Sequence, residues 1–169
     1  MPKGEKIIPF LNYYLNLFKK AQGKVFATRD WHPINHLSFK EQGGLWPSHC
    51  ICGTKGAEFN PKLKLSNNTT IISKATDPKK ESYSGFDGTE LCKELKKNEG
   101  INVFVGGLAI DYCVKSTVID AINLGFKTFF LDDASQGIEV NPGDINRSID
   151  IMQKNGAIKV NKQIFFEFL

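Results

Sequence analysis

The chain has no apolar run near the roughly 20 residues that a membrane span needs. It also has no internal repeat, low-complexity tract or Pro/Gly-rich linker. A solenoid, a membrane span and a string of separate domains are therefore all poor fits. A large excess of charge of one sign is likewise missing. Lysine and arginine number 22 against 18 acids, and the basic residues fall in short pairs such as Lys19-Lys20, Lys79-Lys80 and Lys96-Lys97. They read as solvated faces, so no nucleic-acid footprint is expected. The opening residues "MPKGEK" lack the apolar core of a signal peptide. The four cysteines contain no C-x-x-C, since Cys50 and Cys52 are only one residue apart. Free thiols in a reducing cytoplasm are the expectation. Cys92 is expected as a buried thiol on a helix stripe, and Cys50 and Cys52 as packing residues. Histidine is the scarcest reactive residue, with three copies, and all three lie between Trp31 and Cys50.

What remains is an ordinary globular composition, with 41% hydrophobic and 24% charged residues. A chain of 169 residues fits one domain, residues 1–169, that buries roughly two thirds of its unfolded surface. Ile7, Ile8, Leu11, Tyr14, Leu15 and Phe18 recur at helical spacing and Gly23 follows as a stop, so the chain opens with an amphipathic helix. "KVFAT", "TTIISKAT", "INVFVGGLAIDYC", "FKTFFLDDAS" and "AIKV" read as buried strands. Helices over Val114–Leu124 and Gly143–Gln153 lie among them. The alternation predicts a three-layer α/β/α, doubly wound, mainly parallel sheet. In such sheets ligands gather at the carboxyl ends of the strands, where Asp30, Lys74 and Cys113 all fall.

Those three positions carry the chemistry. Asp30 and His32 lie two apart, so in an extended segment both side chains point the same way. Imidazole nitrogen and a carboxylate suit zinc, iron or manganese. His49, returned by the loop through Gly43-Gly44, completes a three-ligand open site, with His36 a competitor for the third place. Cys113 follows a glycine-bearing strand and opens a helix, whose N–H groups would favour a thiolate and receive an oxyanion. Lys74 would sit beside that thiol and favour its charged form. Trp46 and Tyr83, on loops, would wall a flat pocket for a ring.

"TRDWHPINH", "GGLWPSHC", "GTKGAEF", "ISKATDPKKESYSGF", "GGLAIDYCV" and "DAINLGF" together resemble the nicotinamidases, or pyrazinamidases, of the isochorismatase-like cysteine hydrolases. The resemblance runs from about Gly4 to about Val160. It implies that Cys113 attacks the carboxamide of nicotinamide, releasing ammonia and leaving a thioester that water cleaves to nicotinate, a step of NAD salvage. It implies Lys74 as the triad lysine, Ala109 and Cys113 as oxyanion N–H donors, and a non-proline cis peptide at Leu108-Ala109. Trp46, Tyr83 and Leu108 would line the substrate pocket. Asp30, His32 and His49 would hold a divalent metal, zinc foremost, that positions the ring nitrogen, with His36 as an additional histidine. A homo-oligomer is also implied.

The resemblance departs at the start. Family members open with a strand ending in a general-base aspartate, followed by a pocket phenylalanine, and neither is in this sequence. The expectation is an amino-terminally truncated domain whose sheet lacks its first, central strand and whose thiol lacks that base. Three other readings compete. One is a catalytically dead metal-binding scaffold. Another is an isochorismate hydrolase, which would not explain the Asp-His-His set. A thiol redox module is the third, and the C-x-C spacing argues against it.

Overall fold

The computed structural model describes residues 3–97 and 101–168. After a 3₁₀ turn at Gly4–Ile7, the elements in order are α1 (Ile8–Lys20), β1 (Phe26–Asp30), β2 (Thr70–Lys74), α2 (Leu91–Leu95), β3 (Asn102–Leu108), α3 (Lys115–Asn123), β4 (Lys127–Gln136), α4 (Asp144–Lys154) and β5 (Ile158–Val160). Every strand pairing between these elements is parallel. Parallel strands need long crossovers, and the helices supply most of them.

β4 is the spine of the core. Its alternation sends Phe129 and Leu131 to one face, where they meet Tyr14, Val160 and Phe165. Phe130 points to the other, against Val114, Val118 and Met152. Helix α1 thus covers one side and α3 with α4 the other, which gives the three layers expected. Apolar residues at both pleat phases are what a strand covered on both faces requires. Asp132 and Asp133 lie inside β4, which runs on to Gln136, and have structural partners: Tyr14 donates its hydroxyl to Asp133 at 2.8 Å, and Lys159 pairs Asp132 at 3.1 Å.

The parallel strands are not all joined by hydrogen bonds into one sheet. The strands fall into two ladders, β1-β2 and β3-β4-β5. Hydrogen bonding is therefore continuous within each ladder and not between them. Two local expectations change. Helix α2 has five residues, so Cys92 is half-buried and not packed in a core. Cys52 is exposed and Cys50 half-buried, so neither is a fully packed core residue. Among the described residues no helix is long and apolar enough to cross a membrane.

Candidate active site

Strand register does the first part of the assembly. β1 pairs β2 so that Asp30 lies beside Lys74 at the last rung. Lys74 is almost wholly buried, at 4% exposure. Its ammonium donates to Asp30 Oδ1 at 2.5 Å, to the Ser82 carbonyl at 2.9 Å and to Cys113 Sγ at 3.5 Å. Three acceptors around three N–H bonds saturate the group.

Cys113 does not open a regular α-helix as expected. It lies in a single π-helical turn, Ile110–Val114, that leads into α3. Such one-turn π segments occur frequently at functional sites. The Leu108-Ala109 peptide is cis, as the resemblance implies. The Ala109 carbonyl accepts from Tyr112 N and Val114 N, at 3.1 and 3.0 Å, and its N–H is directed at the Cys113 sulfur. Asp111, which sequence reading passed over, is buried and accepts from the N–H groups of Ile138 and Glu139 at 3.0 and 2.7 Å. It ties the thiol's turn to the loop after β4. Thr117 donates to the Cys113 carbonyl at 2.7 Å and accepts from Gly85 N at 2.9 Å, tying the same turn to the loop that carries Tyr83.

Burial pushes the Cys113 thiol up, against the opposing pull of Lys74. Desolvation thus opposes the charged sulfur that Lys74 favours. Burial also acts to lower Lys74, but Cys113 and Asp30 reverse it and the net direction is upward. Lys74 is a cation in the resting site.

The Asp-His-His set converges. One ligand atom each from Asp30, His32 and His49 lie within 4.8 Å of one another. Phe39, fully buried, sits against all three histidines, with ring centroids 5.5 Å from His32, 5.8 Å from His36 and 5.5 Å from His49. Nothing in the spacing of the motif singles it out. His49 donates Nδ1–H to the Pro47 carbonyl at 2.8 Å, which leaves Nε2 for a metal. His32 Nδ1 is buried and has no partner among the described residues. An orphaned buried nitrogen beside a carboxylate and a second free imidazole nitrogen fits a divalent cation. His36 does not join. Its ring is fully buried, with one nitrogen 2.8 Å from Ser38 Oγ and the other 3.1 Å from the Lys80 carbonyl.

Two predictions arise here. Burial is the main cause that drives the His32 pKa down to about 4 from the usual 6.5, with His36 and His49 adding to it against Asp30. The unfolded chain binds the proton below about 6.5 and the native state only below about 4, so metal-free stability falls as pH drops through that window and levels off beneath it. Melting temperature against pH checks this, and His32→Gln should flatten the slope. The second concerns Gly44. A Cβ there would lie 2.2 Å from the Ser38 backbone carbonyl, within the loop that returns Trp46 and His49. Gly44→Ala is expected to lower the melting temperature and weaken divalent-metal binding at least ~10-fold, as read by titration of the metal.

The ring wall has one more member than expected. Trp46 Nε1 donates to the Tyr83 hydroxyl at 3.1 Å, and Tyr112 closes the triangle, its ring 5.0 Å from Trp46 and 5.5 Å from Tyr83. Because Tyr112 precedes Cys113, the wall is covalently continuous with the thiol. Leu108, at 43% exposure, stands at the cis peptide on the rim. A separate cavity of about 730 Å³, between the second half of α1 and the 64–68 loop, contains none of these residues.

The Isochorismatase domain model matches residues 1–161. The chain belongs to the isochorismatase family. It is 32% identical to the nicotinamidase of Escherichia coli over 93% of this chain and 84% of that protein. The pyrazinamidase of Pyrococcus horikoshii, solved in complex with zinc, superposes with a TM-score of 0.90 at 46% identity, covering 95% of this chain and 88% of that one. The yeast nicotinamidase Pnc1p, solved with the inhibitor nicotinaldehyde, gives 0.86 at 28%, covering 96% and 90%. The family fold, a cis peptide at Leu108-Ala109 and a cluster of Asp30, His32 and His49 occur together in this chain.

Proposed function

We propose that this chain is a nicotinamidase, hydrolysing nicotinamide to nicotinate and ammonia in NAD salvage, and pyrazinamide by the same chemistry. The observation that carries the reading is the contact of Lys74 Nζ with Cys113 Sγ at 3.5 Å, beside a group of Asp30, His32 and His49. A sulfur, a buried ammonium and a cluster that could hold a cation meet at the carboxyl ends of β1, β2 and β3.

In this reading the Cys113 sulfur attacks the carboxamide carbon. The thiol proton ends on the departing ammonia, and the acyl group is left as a thioester. Water then cleaves that bond, returning the thiol and releasing nicotinate. Lys74 stabilises negative charge on the sulfur, which burial alone disfavours. The N–H groups of Ala109 and Cys113 receive the oxyanion of the tetrahedral intermediate. Trp46, Tyr83 and Tyr112 hold the ring flat, with Leu108 at the rim. Asp30, His32 and His49 would hold a divalent metal, zinc in this reading, whose Lewis acidity anchors the ring nitrogen. Asp30 is also the carboxylate in contact with Lys74, so the metal set and the thiol share one residue. All four cysteines are free, which supports a reducing, cytoplasmic setting.

Ammonia release from nicotinamide by the zinc-loaded chain tests the reading. Turnover that needs Cys113 is the expected result. A folded chain that binds one metal and releases no ammonia would instead support the inert scaffold.

A further inference from the structure

His36 is the most enclosed of the three histidines, at 0% exposure, and the metal cluster does not include it. Its surroundings fix one neutral tautomer. A carbonyl only accepts, so Nε2 carries the proton and donates to Lys80 O at 3.1 Å. Nδ1 is then the acceptor, taking the Ser38 hydroxyl at 2.8 Å and the Ser38 N–H at 3.3 Å. Both nitrogens are occupied, and neither bond is made to a metal ligand.

What those bonds join is informative. Ser38 belongs to the loop that follows the His32 strand tip and leads to Trp46, whose N–H returns to the Ser38 carbonyl at 2.9 Å. Lys80 belongs to the loop that carries Ser82, which accepts from Lys74 at 2.9 Å, and Tyr83, which accepts from Trp46 at 3.1 Å. Leu37 N donates to the Pro78 carbonyl at 2.9 Å, a second bridge between the same loops. The His36 ring also lies 4.2 Å from the His32 ring, so it touches the metal set by packing alone.

We infer that His36 is a positioning residue: it clamps the metal-ligand loop to the Tyr83 loop, and so fixes the ring wall relative to the thiol and the cation cluster. The clamp acts through the Nε2–H bond to Lys80 O, with Ser38 holding the tautomer. The kinetic arm of its test rests on the nicotinamidase reading, while the spectroscopic arm does not.

Three variants and one spectrum decide it. His36→Leu keeps bulk but loses the donor, and is expected to raise KM for nicotinamide at least about tenfold, the scale of one buried hydrogen bond lost, with kcat within a few-fold and one zinc retained. His36→Gln restores an N–H donor of similar reach and is expected to return KM to within about threefold of the unaltered chain. Ser38→Ala, which leaves the ring in place and guards against misfolding of the leucine variant, is expected to raise KM by an intermediate factor. Ring-nitrogen NMR of the unaltered protein is expected to show a proton on His36 Nε2 both before and after zinc is added. Loss of that proton on adding zinc would make His36 a ligand and overturn the clamp. So would loss of zinc in both His36 variants, or an unchanged KM in all three. If the unaltered chain releases no ammonia from nicotinamide, the substrate reading fails, and the spectrum still decides the clamp.

Discussion

Cys113→Ala is expected to leave a folded, zinc-binding protein whose ammonia release from nicotinamide falls by roughly 10⁴-fold or more, the scale seen when a nucleophile that acts as a unit with its partners is removed. No other thiol can stand in, because the Lys74 ammonium bonds Cys113 alone among the cysteines, and the Ala109 N–H is aimed at that sulfur. Stability should change by less than about 1 kcal/mol, since burial already disfavours the charged sulfur and Lys74 keeps Asp30 and the Ser82 carbonyl. Ammonia assay together with denaturant unfolding checks both halves. A rate within tenfold of the unaltered chain would remove Cys113 from the chemistry.

Lys74→Met should damage both rate and fold. Removing the ammonium leaves the Asp30 carboxylate and the Ser82 carbonyl without their donor. Breaking a buried pair costs about 3–5 kcal/mol, and the 23% exposure of the Asp30 side chain places this one toward the lower end. Lys74 also lowers the Cys113 pKa, so its loss raises it further. Alkylation of Cys113 at a fixed, mildly alkaline pH should therefore slow, and ammonia release should fall by at least roughly 10³-fold. Lys74→Arg is not expected to rescue, because a planar guanidinium does not fit a socket of three converging acceptors. An unchanged alkylation rate would mean that the ammonium does not govern the sulfur.

Much of this site is legible in the sequence because local rules decide it. β-branched runs ending in polar residues identify β1 and β2, and a one-to-one parallel register then brings Asp30 beside Lys74. The Asp-x-His spacing and the crowding of histidines point to a candidate metal group, with His36 and His49 both open for its third place. The parts that escape are those set by partners far away in the chain. His36 competes on spacing for a ligand position, but its role is decided by Lys80, 44 residues away. Tyr112 reads as an ordinary residue before the thiol until Trp46 and Tyr83 fold against it. The Cys113 turn looks like a helix start, and the bond of Val114 N–H to the Ala109 carbonyl, five residues back, makes it a π turn instead.

Mass spectrometry of the zinc-loaded chain, acid-quenched during turnover of nicotinamide, reads the central step directly. A nicotinoyl group is expected on the peptide containing Cys113 and on no other cysteine. Ammonia release that continues with no acyl group on that peptide would contradict it.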